Sequence, residues 1–151
     1  MELKFTVQAR IQKPVAEVFD AVYNPSKISK YFATGAASGP LDEGARVMWK
    51  FADFPDVEAP VEVKKMIPQK LIAFEWESAE GGYNTRVEMQ FEALNANETL
   101  VKISESGWRD TPKGLETSYG NCEGWTFMAA ALKLFVERGI NLRDGFYGPR
   151  Q

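Results

Sequence analysis

Residues 85–106 read TRVEMQFEALNANETLVKISES. Val87, Met89 and Phe91 alternate with Arg86, Glu88, Gln90 and Glu92. A period of two places the apolar set on one face of a strand and the charged set on the other. Asn95-Ala96-Asn97 supplies turn chemistry. Val101 and Ile103 resume the apolar face between Leu100 and Ser106, so the stretch is predicted as two neighbouring strands with one wet side. Continuing that alternation sets the Glu105 carboxylate on the apolar face. A buried carboxylate is costly unless it is paired or hydrogen-bonded. Two readings stay open for Glu105. It is a polar anchor for a ligand or a general acid-base, or the strand ends before it and it lies in solvent near Arg109.

Working outward, the same pattern recurs. Leu3, Phe5, Val7, Ala9 and Ile11 share one face of an opening strand. Lys13-Pro14 then starts a helix carrying Val15, Val18, Phe19 and Val22 at helical spacing, stopped by Asn24-Pro25. A second short helix is predicted over Ser26 to Phe32. Gly35 to Pro40 reads as a turn. Strands are predicted over Ala45–Phe51, Val61–Ile67 and Leu71–Glu77, with Asp53 to Pro60 as a loop because of its two prolines. A loop over Gly107 to Leu115 leads into a long helix from Glu116 to Arg138, closed by Gly139. Its apolar stripe is Trp125, Met128, Leu132 and Phe135.

This order implies an α+β chain. A curved antiparallel sheet of six to seven strands wraps one long C-terminal helix, with two short helices after the first strand: a helix-grip fold. The long amphipathic helix is the only element able to cover the apolar face. Residues 1–143 are expected to form a single domain, followed by a tail at 144–151.

The resemblance that fits this pattern is carried by named stretches. They are Lys13-Pro14-Val15-Ala16-Glu17-Val18-Phe19-Asp20-Ala21, Asn24-Pro25 leading to Lys30-Tyr31-Phe32, Asp42-Glu43-Gly44, Glu105-Ser106-Gly107-Trp108, and Gly124-Trp125 through Leu132-Lys133-Leu134-Phe135-Val136-Glu137. On these the chain resembles the SRPBCC superfamily, which includes START lipid-transfer domains. Within it the chain resembles the branch named after the activator of the 90-kDa heat-shock protein ATPase. The resemblance implies the helix-grip fold. It also implies one of three roles: small-molecule binder, polyketide cyclase-like enzyme, or co-chaperone.

Composition narrows the chemistry. The chain has 151 residues, 18 basic and 21 acidic, and a net charge of −3. It lacks the basic footprint of a nucleic-acid binder or a membrane-surface patch. It has no run long enough to span a bilayer and opens without a signal-peptide pattern, so a cytoplasmic location is expected. There is no histidine, which removes Ser-His-Asp and Cys-His systems and most zinc sites. The single cysteine, Cys122, reads as a buried inert thiol rather than a reactive one. Asp53, Asp56 and Glu58 lack the spacing of a calcium loop and read as solvated. No metal or cofactor is expected.

The aromatic share is high, with 4 Trp, 5 Tyr and 10 Phe. Trp49, Phe51, Phe74, Trp76, Met89, Phe91, Trp125 and Met128 fall on inward positions. They either line a ligand cavity between sheet and helix or pack as plain core. With Glu105 and with Trp108, set at the cavity mouth as a lid or a cap, they form the candidate ligand-binding set. The leading reading is a binder of a small apolar or aromatic ligand. The alternatives are a cyclase or hydrolase in which Glu105 works with Tyr31, Tyr83 or Tyr119, and an interaction protein facing a chaperone. A homodimer also stays open.

Overall fold

The computed structural model describes residues 1–149. Seven strands form one antiparallel sheet: β1 (Leu3–Ile11), β2 (Ala36–Ala37), β3 (Arg46–Phe51), β4 (Phe54–Ile67), β5 (Leu71–Glu77), β6 (Asn84–Asn95) and β7 (Glu98–Trp108). Their spatial order is β1-β7-β6-β5-β4-β3-β2. Helices α1 (Val15–Tyr23) and α2 (Pro25–Ile28) follow β1, and α3 (Pro112–Arg138) closes the fold. This is the helix-grip arrangement: a curved sheet whose inner face packs on one long helix.

The alternation read from residues 85–106 is what the sheet uses. Val87, Met89, Val101 and Ile103 are buried, and β6 and β7 pair with Met89 opposite Ile103. From α3 the core receives Trp125, Met128 and Leu132, while α1 and α2 add Val18, Phe19, Val22 and Ile28. Tyr31 is fully buried, stacks on Phe135 at 4.9 Å and donates to the Ala21 carbonyl at 2.9 Å. Gly139 ends α3 in the left-handed conformation, φ 68°, and its N–H reaches the Phe135 carbonyl.

Four local expectations change. The predicted loop at Asp53 to Pro60 is mostly strand, because β4 begins at Phe54. Pro60 sits opposite Met48, whose N–H and C=O both turn toward Ser38 on the far side. The Pro60 nitrogen therefore points away from β3. Pairing of β4 with β5 starts only at Val61, so no ladder bond is lost there. The predicted turn at Gly35 to Pro40 contains β2. A Cβ on Gly35 would lie 2.9 Å from the Lys50 carbonyl carbon, and the bare glycine lets the two backbones meet. The second helix is only Pro25–Ile28, although Phe32 beyond it is buried. The predicted loop from Gly107 shrinks to Arg109–Thr111. β7 runs on to Trp108, and α3 starts at Pro112 with Thr111 accepting from the Gly114 N–H at 3.0 Å.

The described residues after α3 pack back on the domain. Phe146 and Tyr147 pack on Phe127 with ring centroids 4.3 and 5.1 Å away. Arg143 is 8% exposed, and its Nε donates to Asp53 Oδ2 at 2.8 Å. That ion pair ties the β3–β4 turn to the chain 90 residues later.

Candidate functional site

Glu105 is 1% exposed. The alternation of β7 carries through it, so the reading that left it in solvent is not what the fold does. Arg109 lies instead over the Tyr83 ring, 4.5 Å from its centroid. The carboxylate is held by neutral donors. Oε2 accepts from Trp76 Nε1 at 2.9 Å and from Thr85 Oγ1 at 2.6 Å. Oε1 accepts from Trp125 Nε1 at 2.8 Å, and Asn121 Nδ2 reaches both oxygens at 3.0 Å. Three of these groups, the two indoles and the amide nitrogen, can only donate. The nest thus matches an acceptor-only carboxylate. It spans four elements: Trp76 on β5, Thr85 on β6, Glu105 on β7, and Asn121 with Trp125 on α3.

Both indoles are anchored through their N–H edges, and their ring centroids lie 5.4 Å apart. Trp125 is buried and also stacks on Phe32 at 5.6 Å, whereas the Trp76 ring is half-buried. Both residues help to line a cleft of ≈ 300 Å³. Phe32, Phe51, Phe54 and Tyr147 form the rest of its aromatic wall, with Arg143 among them. The Arg143 guanidinium lies 4.8 Å from the Phe51 centroid and 5.1 Å from that of Tyr147. Burial pushes the Tyr147 phenol above its ordinary range, against the opposing pull of Arg143. The α3 wall is open because Gly120 and Gly124, one turn apart, present no side chain. A Cβ at either would meet nothing within 4 Å. Phe51, Trp76 and Asn121 also border a wider groove of ≈ 580 Å³, along whose edge lie Glu58, Glu62, Glu75 and Glu77.

Residues 12–137 match the family described as activator of Hsp90 ATPase homolog 1-like protein. The chain belongs to this family. Solved structures agree on the fold. SSP2350 from Staphylococcus saprophyticus is 24% identical, covers 95% of this chain and 96% of its own, and superposes with a TM-score of 0.76. The Aha1 dimer from Colwellia psychrerythraea is 21% identical over 90% of this chain and 97% of that one, TM-score 0.72. DynU16, a protein in the dynemicin biosynthetic locus, is 22% identical over 92% of this chain but 49% of its own length, TM-score 0.78. No curated protein matches the sequence.

Within this Aha1-like fold the ten sequence candidates separate. Phe51, Trp76 and Trp125 line the cleft, and Glu105 sits behind the two indoles. Trp49, Phe74, Met89 and Met128 are fully buried in the core, and Phe91 nearly so, against Phe19. Trp108 packs on Phe5 at 5.6 Å and lines none of this cleft. The tyrosines considered as partners of Glu105 do not reach it: Tyr31 is committed to Ala21, Tyr83 donates to Glu80, and Tyr119 is 67% exposed. Among the described residues no group of His, Cys, Asp or Glu has the arrangement of a metal site. No described helix is long and apolar enough to cross a membrane.

Sequence reasoning missed Asn121, Gly120, Gly124, Arg143 and Tyr147. Asn121 falls one turn before Trp125 on the same helix face, a spacing visible in the sequence. The glycine pair at i, i+4 was a second available signal. Nothing local marks Arg143 or Tyr147, because their partners Asp53 and Phe54 lie about 90 residues earlier.

Proposed function

We propose that the protein binds a small apolar or aromatic molecule in the cleft between β3, β5, α3 and the segment after α3. The observation that carries this is the half-buried Trp76 ring, anchored at its N–H by Glu105, in a cleft whose α3 wall is left bare by two glycines. Buried tryptophans normally close on neighbours. Trp125 does so against Phe32, while the Trp76 ring stays half-buried beside a space of ≈ 300 Å³, the lower end of ordinary ligand-site size. Family membership and the fold shared with SSP2350 and DynU16 are in keeping with a binding or cyclase-like role. No tyrosine stands beside Glu105, and every Glu105 contact is an accepted hydrogen bond, which favours a positioning role over acid-base chemistry.

The test is titration with 2-naphthol, followed by tryptophan fluorescence and by amide chemical shifts. The reading expects saturable shifts at Gly120–Trp125 and quenching of Trp76 and Trp125. Gly124→Leu fills the cleft and is expected to abolish both while the protein stays folded. Shifts confined to other surfaces, or none at millimolar ligand, overturn the reading.

A further inference from the structure

The charge around the cleft is unbalanced in one direction. Glu105 is surrounded by dipoles, not by a cation, and among the described residues no lysine or arginine is within ion-pair distance of it. Hydrogen-bond donors solvate a carboxylate, but they carry no net charge and leave its long-range field in place. The cations on neighbouring elements are engaged elsewhere. Arg86 pairs with Glu88, Arg109 lies on Tyr83, and Arg143 is bound to Asp53. At the rim stands Glu123, and the adjoining groove brings Glu75 and Glu77, while its Arg46 is paired with Glu62 and its Glu58 with Lys50. The Phe32, Phe51, Phe54 and Tyr147 rings already carry the Arg143 guanidinium; the half-buried Trp76 ring is the aromatic surface whose negative face is left to a bound group.

We propose that the cleft selects a cationic aromatic molecule: a flat ring system carrying an amine or quaternary ammonium. The ring lies against the α3 backbone at Gly120 and Gly124, facing Trp76 and Trp125. Its positive group takes up the field of Glu105 from the cleft side of the indoles and that of Glu123 at the rim. The inference rests on the binding reading above and adds to it the sign of the ligand's charge. An anionic ligand would meet the same carboxylates unfavourably, because the guanidinium of Arg143 is already matched by Asp53.

The experiment compares three ligands with one ring system: 2-naphthalenemethanol, 2-naphthoate and (2-naphthylmethyl)trimethylammonium. Dissociation constants are measured by calorimetry and by amide shifts at low and high salt. The expected order is cation, then alcohol, then anion, with the cation about tenfold tighter than the alcohol at low salt and the gap narrowing as salt rises. Glu105→Gln is expected to remove most of the gap, and Glu123→Gln part of it. Glu123 is exposed, so the second variant keeps the test open if the first fails to fold. Equal binding of all three ligands overturns the charge inference and leaves the binding reading standing. Tightest binding of the anion also overturns it and moves the recognition to Arg143. A cation preference that survives in Glu123→Gln and in folded Glu105→Gln assigns it to the aromatic faces alone and overturns the role of the carboxylates. Binding of none of the three removes both proposals together.

Discussion

Glu105 is the residue on which the site is organised. Replacing it by alanine leaves two indole N–H groups, the Thr85 hydroxyl and the Asn121 amide without their shared acceptor. Each buried group left without its partner costs about 1–3 kcal/mol. Allowing for relaxation, Glu105→Ala is expected to lose about 3 kcal/mol or more in urea unfolding and to loosen both tryptophans, seen as a red shift of their emission. A loss below about 1 kcal/mol would mean that the nest is not a structural unit. Tyr31 makes a different prediction. Burial holds its phenol well above the ordinary value. The unfolded chain releases that proton from about pH 10 upward while the folded chain keeps it, so stability is intact below about pH 10 and falls as pH rises further. Tyr31→Phe is expected to flatten this fall, at a pH-independent cost of about 1 kcal/mol for the orphaned Ala21 carbonyl. Urea midpoints at about pH 9 and about pH 11 check it; equal slopes in both proteins refute it.

At the scale of elements, α3 contains three glycines that do different things. Gly114 is sterically required: a Cβ there would lie 1.9 Å from the Arg109 carbonyl oxygen. Gly120 and Gly124 are not, since nothing stands within 4 Å of either Cβ. A glycine in a helix interior is less favourable than alanine by about 0.5–1 kcal/mol. Gly120→Ala and Gly124→Ala are therefore each expected to raise stability by about that amount, whereas Gly114→Ala lowers it by more than about 2 kcal/mol. Thermal unfolding of the three variants decides this. If all three destabilise, the open wall of α3 is not open. The same scale explains β4. Two prolines argued for a loop, yet the half of β4 that carries them pairs with β3 alone and keeps its β5 side free.

For the whole molecule, the joint between the β3–β4 turn and the segment after α3 decides whether the cleft has a fourth wall. Arg143 and Asp53 bring it together, at side-chain exposures of 8% and 15%. Truncating one partner of a pair this buried costs about 3 kcal/mol, mostly for the charge left behind, whereas removing both costs less. A double-mutant cycle with Arg143→Ala and Asp53→Ala is expected to show the double variant losing no more stability than either single variant. In the double variant the Tyr147 ring leaves Phe54 and the cleft loses affinity for 2-naphthol. Strict additivity, with affinity unchanged, would show that the joint is incidental to the site.

The separation between what the chain announces locally and what it does not follows from contact range. Alternation over residues 3–11, 45–51, 71–77 and 85–106 settled the strands and their inward faces, because the period of two is a property of the backbone itself. Pro14, Asn24-Pro25 and Gly139 marked helix ends for the same local reason. The lack of histidine and the negative net charge bounded the chemistry before any folding was considered. The inward placement of Glu105 was legible as one of two readings, and its donors were not. Trp76, Thr85, Asn121 and Trp125 come from three other elements and meet only once the sheet has curved onto α3. Alternation also cannot tell a ring that lines a cleft from one that fills the core. Trp49 and Trp76 lie at equivalent inward positions of their strands, yet one is fully buried and the other faces the opening. The difference lies in what packs across from each ring, and that is decided by where α3 and the chain beyond Gly139 come to rest, which no local period encodes.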